Sequence, residues 1–295
     1  MKTLVKIIYV FLIIGVILVV SGVAAGATLD DVKEILTDQA IYVAYDETID
    51  ETFESIYIKS DSKNVEVSVS DMIDKPQLIY HLKSTETMSV GVADNGQLNI
   101  ELKHQQHFFN WFSFSWPSND VQTLQVILPR TYQGKLHIQT SAGNVIVKGI
   151  FDETILKTQA GNIQVEGSYN SLDVEVSAGN VNISNVAVLG TLMVEGQAGN
   201  INVDRSQVGG ALNLSLSAGE IDVNDVDALS YTLKTSTGNI KLDLNLNKSA
   251  YALKLSTSLG NVKIDGSNVS NDYESGTGIL VDASTSLGNI NIYTN

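Results

Sequence analysis

The sequence predicts an all-β chain: a single-stranded β-solenoid, parallel β-helix-like, of about eight to nine coils, preceded by an N-terminal transmembrane helix. Three observations predict it. A Gly-Asn dipeptide or its equivalent recurs at a near-constant interval. Apolar and polar residues alternate around each copy. One long apolar run sits at the start and nowhere else.

The run comes first. From Ile7 to Leu29 there is no charged residue, Lys2 and Lys6 precede it, and Asp30, Asp31 and Glu34 follow. About 20 apolar residues in a helix cross a bilayer core of about 30 Å. Positive charge stays inside, so residues 1–6 are expected in the cytoplasm and everything after the anchor outside. Residues 7–28 are read as a single-pass anchor in the cell membrane. A signal peptide cleaved near Ala27 is the competing reading, because Ala25-Gly26-Ala27 has the small residues of a cleavage site. Residues 29–50 then form a juxtamembrane linker. Within it Thr28 caps a short helix over 29–39, with Asp30 and Asp31 in its first turn.

Residues 51–135 are expected to hold an N-terminal β region and cap. Ile56–Ser60 followed by Asn64–Val67 fits the repeat template with Lys63 in the place of glycine. Val90–Val92 and Leu98–Ile100, around Asp94-Asn95-Gly96, read as a hairpin, and Val121–Leu128 as a strand. The segment 104–117 breaks the pattern. It carries Phe108, Phe109, Trp111, Phe112, Phe114 and Trp116, which is both tryptophans and four of the seven phenylalanines. It is either a plug over the N-terminal end of the solenoid or an exposed surface that meets a protein, a glycan or lipid.

Residues 136–295 are the repeat. Turn glycines stand at Gly143, Gly161, Gly179, Gly199, Gly219, Gly238, Gly260 and Gly288, spaced 18, 18, 20, 20, 19, 22 and 28 apart. Asn144, Asn162, Asn180, Asn200, Asn239, Asn261 and Asn289 follow them, with Glu220 the exception. Counting from each glycine, positions −7, −5, +2 and +4 are apolar in every repeat except at Thr154. Period-two alternation makes strands with one face in a core. Asparagine tolerates turn angles and its amide can bond to copies of itself in adjacent coils. An antiparallel arrangement, with Ala-Gly as a hairpin loop, fits the same facing, while the constant unit length and the asparagine column favour stacking. The C-terminus stops soon after the last turn. The insertion 265–280 is expected either to fold over that end or to leave it for a partner.

Repeated Ser-Ala-Gly-Asn-Val turns, preceded by Val126–Pro129 and Leu136–Thr140, resemble the bacterial family labelled "putative adhesin", a domain of unknown function. An anchor before such a domain is similar to LiaG-like proteins of cell-envelope stress operons. The resemblance covers about 50–295. It implies a β-solenoid fold and an envelope role, and it transfers no catalytic residue.

Composition narrows function. The chain has 18 Lys+Arg against 33 Asp+Glu, a net charge of −15, and no Cys. Disulfides and thiolate chemistry are excluded, and nucleic acid is not an expected partner. Catalytic, cofactor-binding and metal residues are all expected to be none. His104 and His107 are three apart without nearby acidic ligands, and His81 and His137 are isolated. Stacked coils would bring Glu175 beside Glu195, near the separation of a glycosidase pair, and Asp243 beside Asp265. The expectation is a non-enzymatic, membrane-anchored extracytoplasmic scaffold that binds an envelope protein or glycan. A surface adhesin is the alternative, and a polysaccharide-active enzyme a more distant one.

Overall fold

A computed structural model describes residues 42–104 and 123–295. The anchor 7–28, the helix at 29–39 and the six aromatic residues between 108 and 116 lie outside the described residues. Among the described residues no helix is long and apolar enough to cross a membrane.

Alternation in the repeat is realised as strands that stack in parallel. β8 (Lys135–Ala142) pairs with the second half of β9 (Val145–Ala160), Leu136 facing Thr154 and Ile138 facing Leu156. The two halves of β9 pair with those of β10 (Ile163–Ala178), which continues onto β11 (Val181–Val188) and β12 (Leu192–Ala198). β13 (Ile201–Ala218) follows on both, then β14 (Ile221–Thr237). Each coil runs to its Gly-Asn turn along one side and away from it along the other. Residues at −7, −5, +2 and +4 fill the space between, Ile138, Val145, Val174 and Leu233 among them with 0% exposure. Parallel pairing removes the antiparallel alternative.

The ends do not follow sequence order. β2 (Ser55–Ser60) and β3 (Asn64–Ser70) form the first coil in the chain, and Lys63 takes the place of glycine in its turn. β2 pairs with β8 on one side and with β6 (Gln97–His104) on the other. β3 likewise lies between β9 and β7 (Thr123–Pro129). The outermost coil is therefore β6–β7. It is covered by antiparallel strands: β5 (Glu86–Val92) on β6, then β4 (Gln77–Leu82) on β7 with β1 (Val43–Thr48) beyond.

The other end mirrors this. β15 (Ile240–Leu244) closes the coil begun by β14. The next coil in space is the last in sequence, β20 (Ile279–Leu287) and β21 (Ile290–Thr294). Outside it sits β16 (Tyr251–Leu259) with β17 (Val262–Ile264), and antiparallel β18 (Ser267–Val269) and β19 (Asp272–Ser275) border them. The coils in spatial order are thus 97–129, 55–70, 135–151, 154–169, 172–188, 192–208, 212–228, 231–244, 279–294 and 251–264. That is ten, against the eight to nine expected, and a stack roughly 45 Å long at about 4.8 Å per coil. The insertion 265–280, expected over the C-terminal end, supplies β18 and β19, which border the outer coil 251–264. Asp243 and Asp265 are not neighbours, because β21 stands between their strands.

The change of spacing from 18 to 20 adds residues at two places. Val165 faces Ile183, but Gly167 faces Val186, so β11 holds one extra residue, a bulge, with Asn185 at φ 53°. Tyr169 faces Val188, but Leu172 faces Leu192, so the second extra residue lies at the corner between β11 and β12. Arg205 (φ 44°) and Asp225 (φ 52°) repeat the bulge in the next two coils. In the short coils one ring, Phe151 or Tyr169, fills the corner opposite the turn. In the first long coil Val188 stands beside Tyr169 and Val186 adds to it. Phe53, Tyr132, Phe151 and Tyr169 stack along this corner with ring centroids 5.3, 6.4 and 6.2 Å apart.

Candidate functional site

The Gly-Asn edge is built by close backbone approach. A Cβ on Gly179 (φ 149°) would lie 1.9 Å from the carbonyl oxygen of Gly161, and one on Gly161 would lie 2.1 Å from that of Gly143. Only glycine lets consecutive coils stack at this corner. Asparagine joins the coils differently from expectation. The Asn64 Oδ1 accepts the Asn144 backbone N–H (2.8 Å), Asn144 accepts Asn162 (2.9 Å), Asn162 accepts Asn180 (2.9 Å) and Asn180 accepts Asn200 (2.9 Å). The side-chain carbonyl, more than the amide-to-amide contact, carries the ladder. Asn200 still accepts the Glu220 N–H at 3.0 Å, but the ladder resumes only at Asn239, which accepts Asn289, which accepts Asn261. Behind it, inward threonine hydroxyls secure the turn: Thr257 donates to the Gly288 carbonyl (2.9 Å) and Thr285 to that of Gly238 (3.1 Å).

The strands that flank the aromatic segment end at this edge. β6 stays paired with β2 as far as Leu102 against Ser60, and β7 rejoins β3 at Thr123 against Asn64. In the neighbouring coil those positions are joined by Asp61–Lys63 alone. In the outermost N-terminal coil the chain between these positions is 105–122, which lies outside the described residues. That end has its own cover. Tyr80, Leu82, Met88, Val90 and Val92 from β4 and β5 pack on the core, and Tyr45 of β1 stacks on Tyr80 at 5.0 Å. Tyr80 also donates to the Glu47 carboxylate (2.6 Å), and burial with this carboxylate pushes its phenol well above the usual tyrosine range.

At the turn of the first coil lies a buried ion pair that the sequence did not announce. Lys63 Nζ is 2.9 Å from Glu86 Oε2, with side chains 3% and 6% exposed. The same Oε2 accepts the Lys83 N–H, so the pair fastens the start of β5 to the first coil. A lysine in a glycine's place was the one available signal.

The carboxylates are in register but engaged. Glu175 faces Glu195, and Lys157 donates to Glu175 at 2.7 Å from the preceding coil. Asp173, half-buried beside them, has its carboxyl raised by burial and by Glu195 and Glu175, against the pull of Lys157. His137 packs edge-on against Tyr57 at 4.9 Å, and burial with Lys157 nearby lowers its pKa. His104 ends β6, while His81 sits on β4; His107 lies outside the described residues. Among the described residues no three His, Asp or Glu side chains converge as a metal site. Large apolar side chains are exposed on the Gly-Asn edge at Leu259 and Leu287, which face each other, and on the opposite edge at Leu189 and Leu229. The sequence reading missed all four, since each lies outside the repeat's alternating positions.

The model of the family described as Toastrack DUF4097 matches residues 53–293. No curated protein matches the chain. Solved structures that it is similar to include a "putative adhesin" from Bacteroides fragilis, 12% identical over 85% of this chain and 96% of that one, TM-score 0.41. Another, from Parabacteroides merdae, is 12% identical over 86% and 97%, TM-score 0.41. A "putative cell adhesion protein" from Clostridium sporogenes is 12% identical over 86% and 100%, TM-score 0.27.

Proposed function

The chain belongs to the Toastrack DUF4097 family, and on that premise we propose that it is a non-enzymatic scaffold of the bacterial cell envelope. Residues 7–28 hold it in the membrane, N-terminus inside, and the solenoid stands outside, where it binds an envelope protein or glycan. The envelope stress response is the setting that the LiaG-like arrangement suggests. The observation that carries this reading is where the strands that flank the aromatic segment end. β6 and β7 stop at the edge where the inner coils have their tight turns, at the end of the stack where the chain enters through β1. β4 and β5, with β1 against β4, already border that end of the core, which supports a docking role for 104–117 over a plug. Phe108, Phe109, Trp111, Phe112, Phe114 and Trp116 are then the docking residues, since such rings combine an apolar face with, in tryptophan, a donor.

Glu175 and Glu195 are weak candidates for glycoside cleavage, because Lys157 ion-pairs with Glu175 and the pair lies on a strand face. Crosslinking in intact membranes, wild type against a chain lacking 108–116, tests the scaffold. A protein or glycan adduct that disappears with the deletion supports it. Identical adducts with a lower melting temperature make the segment a structural element and sink the docking role. Recovery of the protein in the medium, cut near Ala27, favours the surface adhesin.

A further inference from the structure

We infer that the domain is a load-bearing module, because both of its terminal coils are gripped from two sides. A solenoid is weakest at its ends, where the last coil has one neighbour and a free chain end, and peels away. Among the described residues there is no such coil. The first coil in sequence, 55–70, is held by the β6–β7 coil and by β8–β9: Ile58 faces Ile100 on one side and Ile138 on the other, and Val67 faces Val126 and Val147. The last, 279–294, is held by β14–β15 and by β16–β17: Val281 faces Tyr231 and Leu253, and Ile292 faces Leu242 and Ile264.

The coils that do lie outermost have no free chain end. Segment 77–129 leaves the stack after β3 and returns to β8; segment 251–275 leaves after β15 and returns to β20. Tension entering at the C-terminal end of the described chain thus reaches an inner coil first, and at the N-terminal end it meets only β1 before one. To extract β2 it must break two parallel ladders rather than one. The Lys63–Glu86 pair ties the N-terminal outer layer to that coil, and Arg130–Asp71 (3.0 Å) and Lys75–Asp50 (2.6 Å) close the loops around it. β1 alone is expendable. It pairs only with β4, its residues are mostly exposed, and its loss leaves β2 in place.

The inference rests on topology; its use in the cell rests on the membrane tether proposed above, and the two fail separately. The chain has no native cysteine, so Asp31→Cys and Asn295→Cys give unique attachment points for pulling the full-length protein between handles. The expected trace is a small early extension from residues 43–54, on the order of 40 Å at about 3.3 Å per residue. One large rupture at a clearly higher force then takes coils 55–294 together. Successive losses of single coils of 18–20 residues, beginning with 55–70 or 279–294 at low force, would overturn it. Native-state hydrogen exchange on the unmodified chain gives a second reading. Amides of β2, β3, β20 and β21 should exchange as slowly as those of β13, and β1, β18 and β19 faster. Fast exchange confined to 55–70 or 279–294 would refute the grip.

Discussion

The middle of the stack and its two ends hold together by different means. Between residues 135 and 237 each coil repeats the one before it, and stability comes from stacking: an apolar interior, a glycine corner and an asparagine ladder. At the ends the repeat stops and individual interactions take over, such as the Lys63–Glu86 pair, the Tyr45–Tyr80 stack and antiparallel border strands. A repeat can be copied indefinitely, but its edge cannot, because an exposed edge would recruit another chain. The difference teaches that the centre should fail by steric misfit between coils and the ends by loss of single contacts.

The largest effect is therefore expected at a central turn. Gly179→Val places a β-branched side chain at φ 149° and against the Gly161 carbonyl, and should cost about 4 kcal/mol. Gly96, in the β5–β6 hairpin at the N-terminal end, has φ 73° with nothing within 4 Å of a Cβ. Gly96→Ala should cost only about 1 kcal/mol, from backbone strain alone. Thermal unfolding of the two variants measures the contrast, and equal costs would break it.

Next comes the buried pair. Glu86→Gln removes the carboxylate 2.9 Å from the buried Lys63 ammonium and should cost about 3 kcal/mol, whereas Lys63→Met with Glu86→Leu should recover most of that. Chemical denaturation with all three chains checks it. If the double variant is as unstable as the single one, packing rather than charge fastens this end.

The ladder offers a smaller and graded test. Asn162→Ala removes the acceptor of the Asn180 N–H and should cost about 1 kcal/mol. Glu220→Asn adds an acceptor where the ladder skips a rung and should stabilise by a similar or smaller amount. If instead Glu220→Asn destabilises, the Glu220 carboxylate has a role of its own at that edge.

How much of this was legible in the sequence follows the same division. The alternation around Gly143 to Gly288 reports strand facing directly, so the stacked β-fold of the centre could be read from it. Lys63 in a glycine's place still revealed the 55–70 coil, because Ile56, Ile58, Val65 and Val67 keep the period. What could not be read is where a coil sits. Nothing in residues 279–294 distinguishes a terminal coil from an inner one, since its apolar positions match every other coil. The pairing of Asp243 with Asp265 was mistaken for that reason. The 20-residue spacing was visible, but its causes, a bulge at Asn185 and an extra residue at the corner after Val188, need strand registers and backbone angles. For the candidate site, the aromatic segment was conspicuous by composition, and that its flanking strands end at the Gly-Asn edge emerged only from their register with β2 and β3.

The smallest expected effect separates centre from ends by charge. Residues 161–229 hold nine carboxylates and a single basic residue, Arg205. Lys157 reaches into this block from the preceding coil to pair with Glu175, and Lys241 from the following coil to meet Asp222. Asp173 is left half-buried near Glu175 and Glu195, and burial, with these carboxylates, raises its carboxyl above the ordinary 3.8. The folded state therefore holds the proton more tightly than the unfolded one. Stability is lost as pH rises from 3.8 through the raised value, and above it the ionised group is a net cost. Asp173→Asn should raise the melting temperature modestly at pH 7, and the gain should shrink as pH falls and vanish below 3.8, where both states are protonated. The matching change at the C-terminal end, Asp243→Asn, removes a partner that Lys241 contacts at 3.2 Å, so it should give no gain at any pH. Melting curves of both variants from pH 3 to 8 decide it. A gain for Asp173→Asn that persists at the lowest pH would trace to packing, not charge, and would leave the acidic centre without an energetic cost.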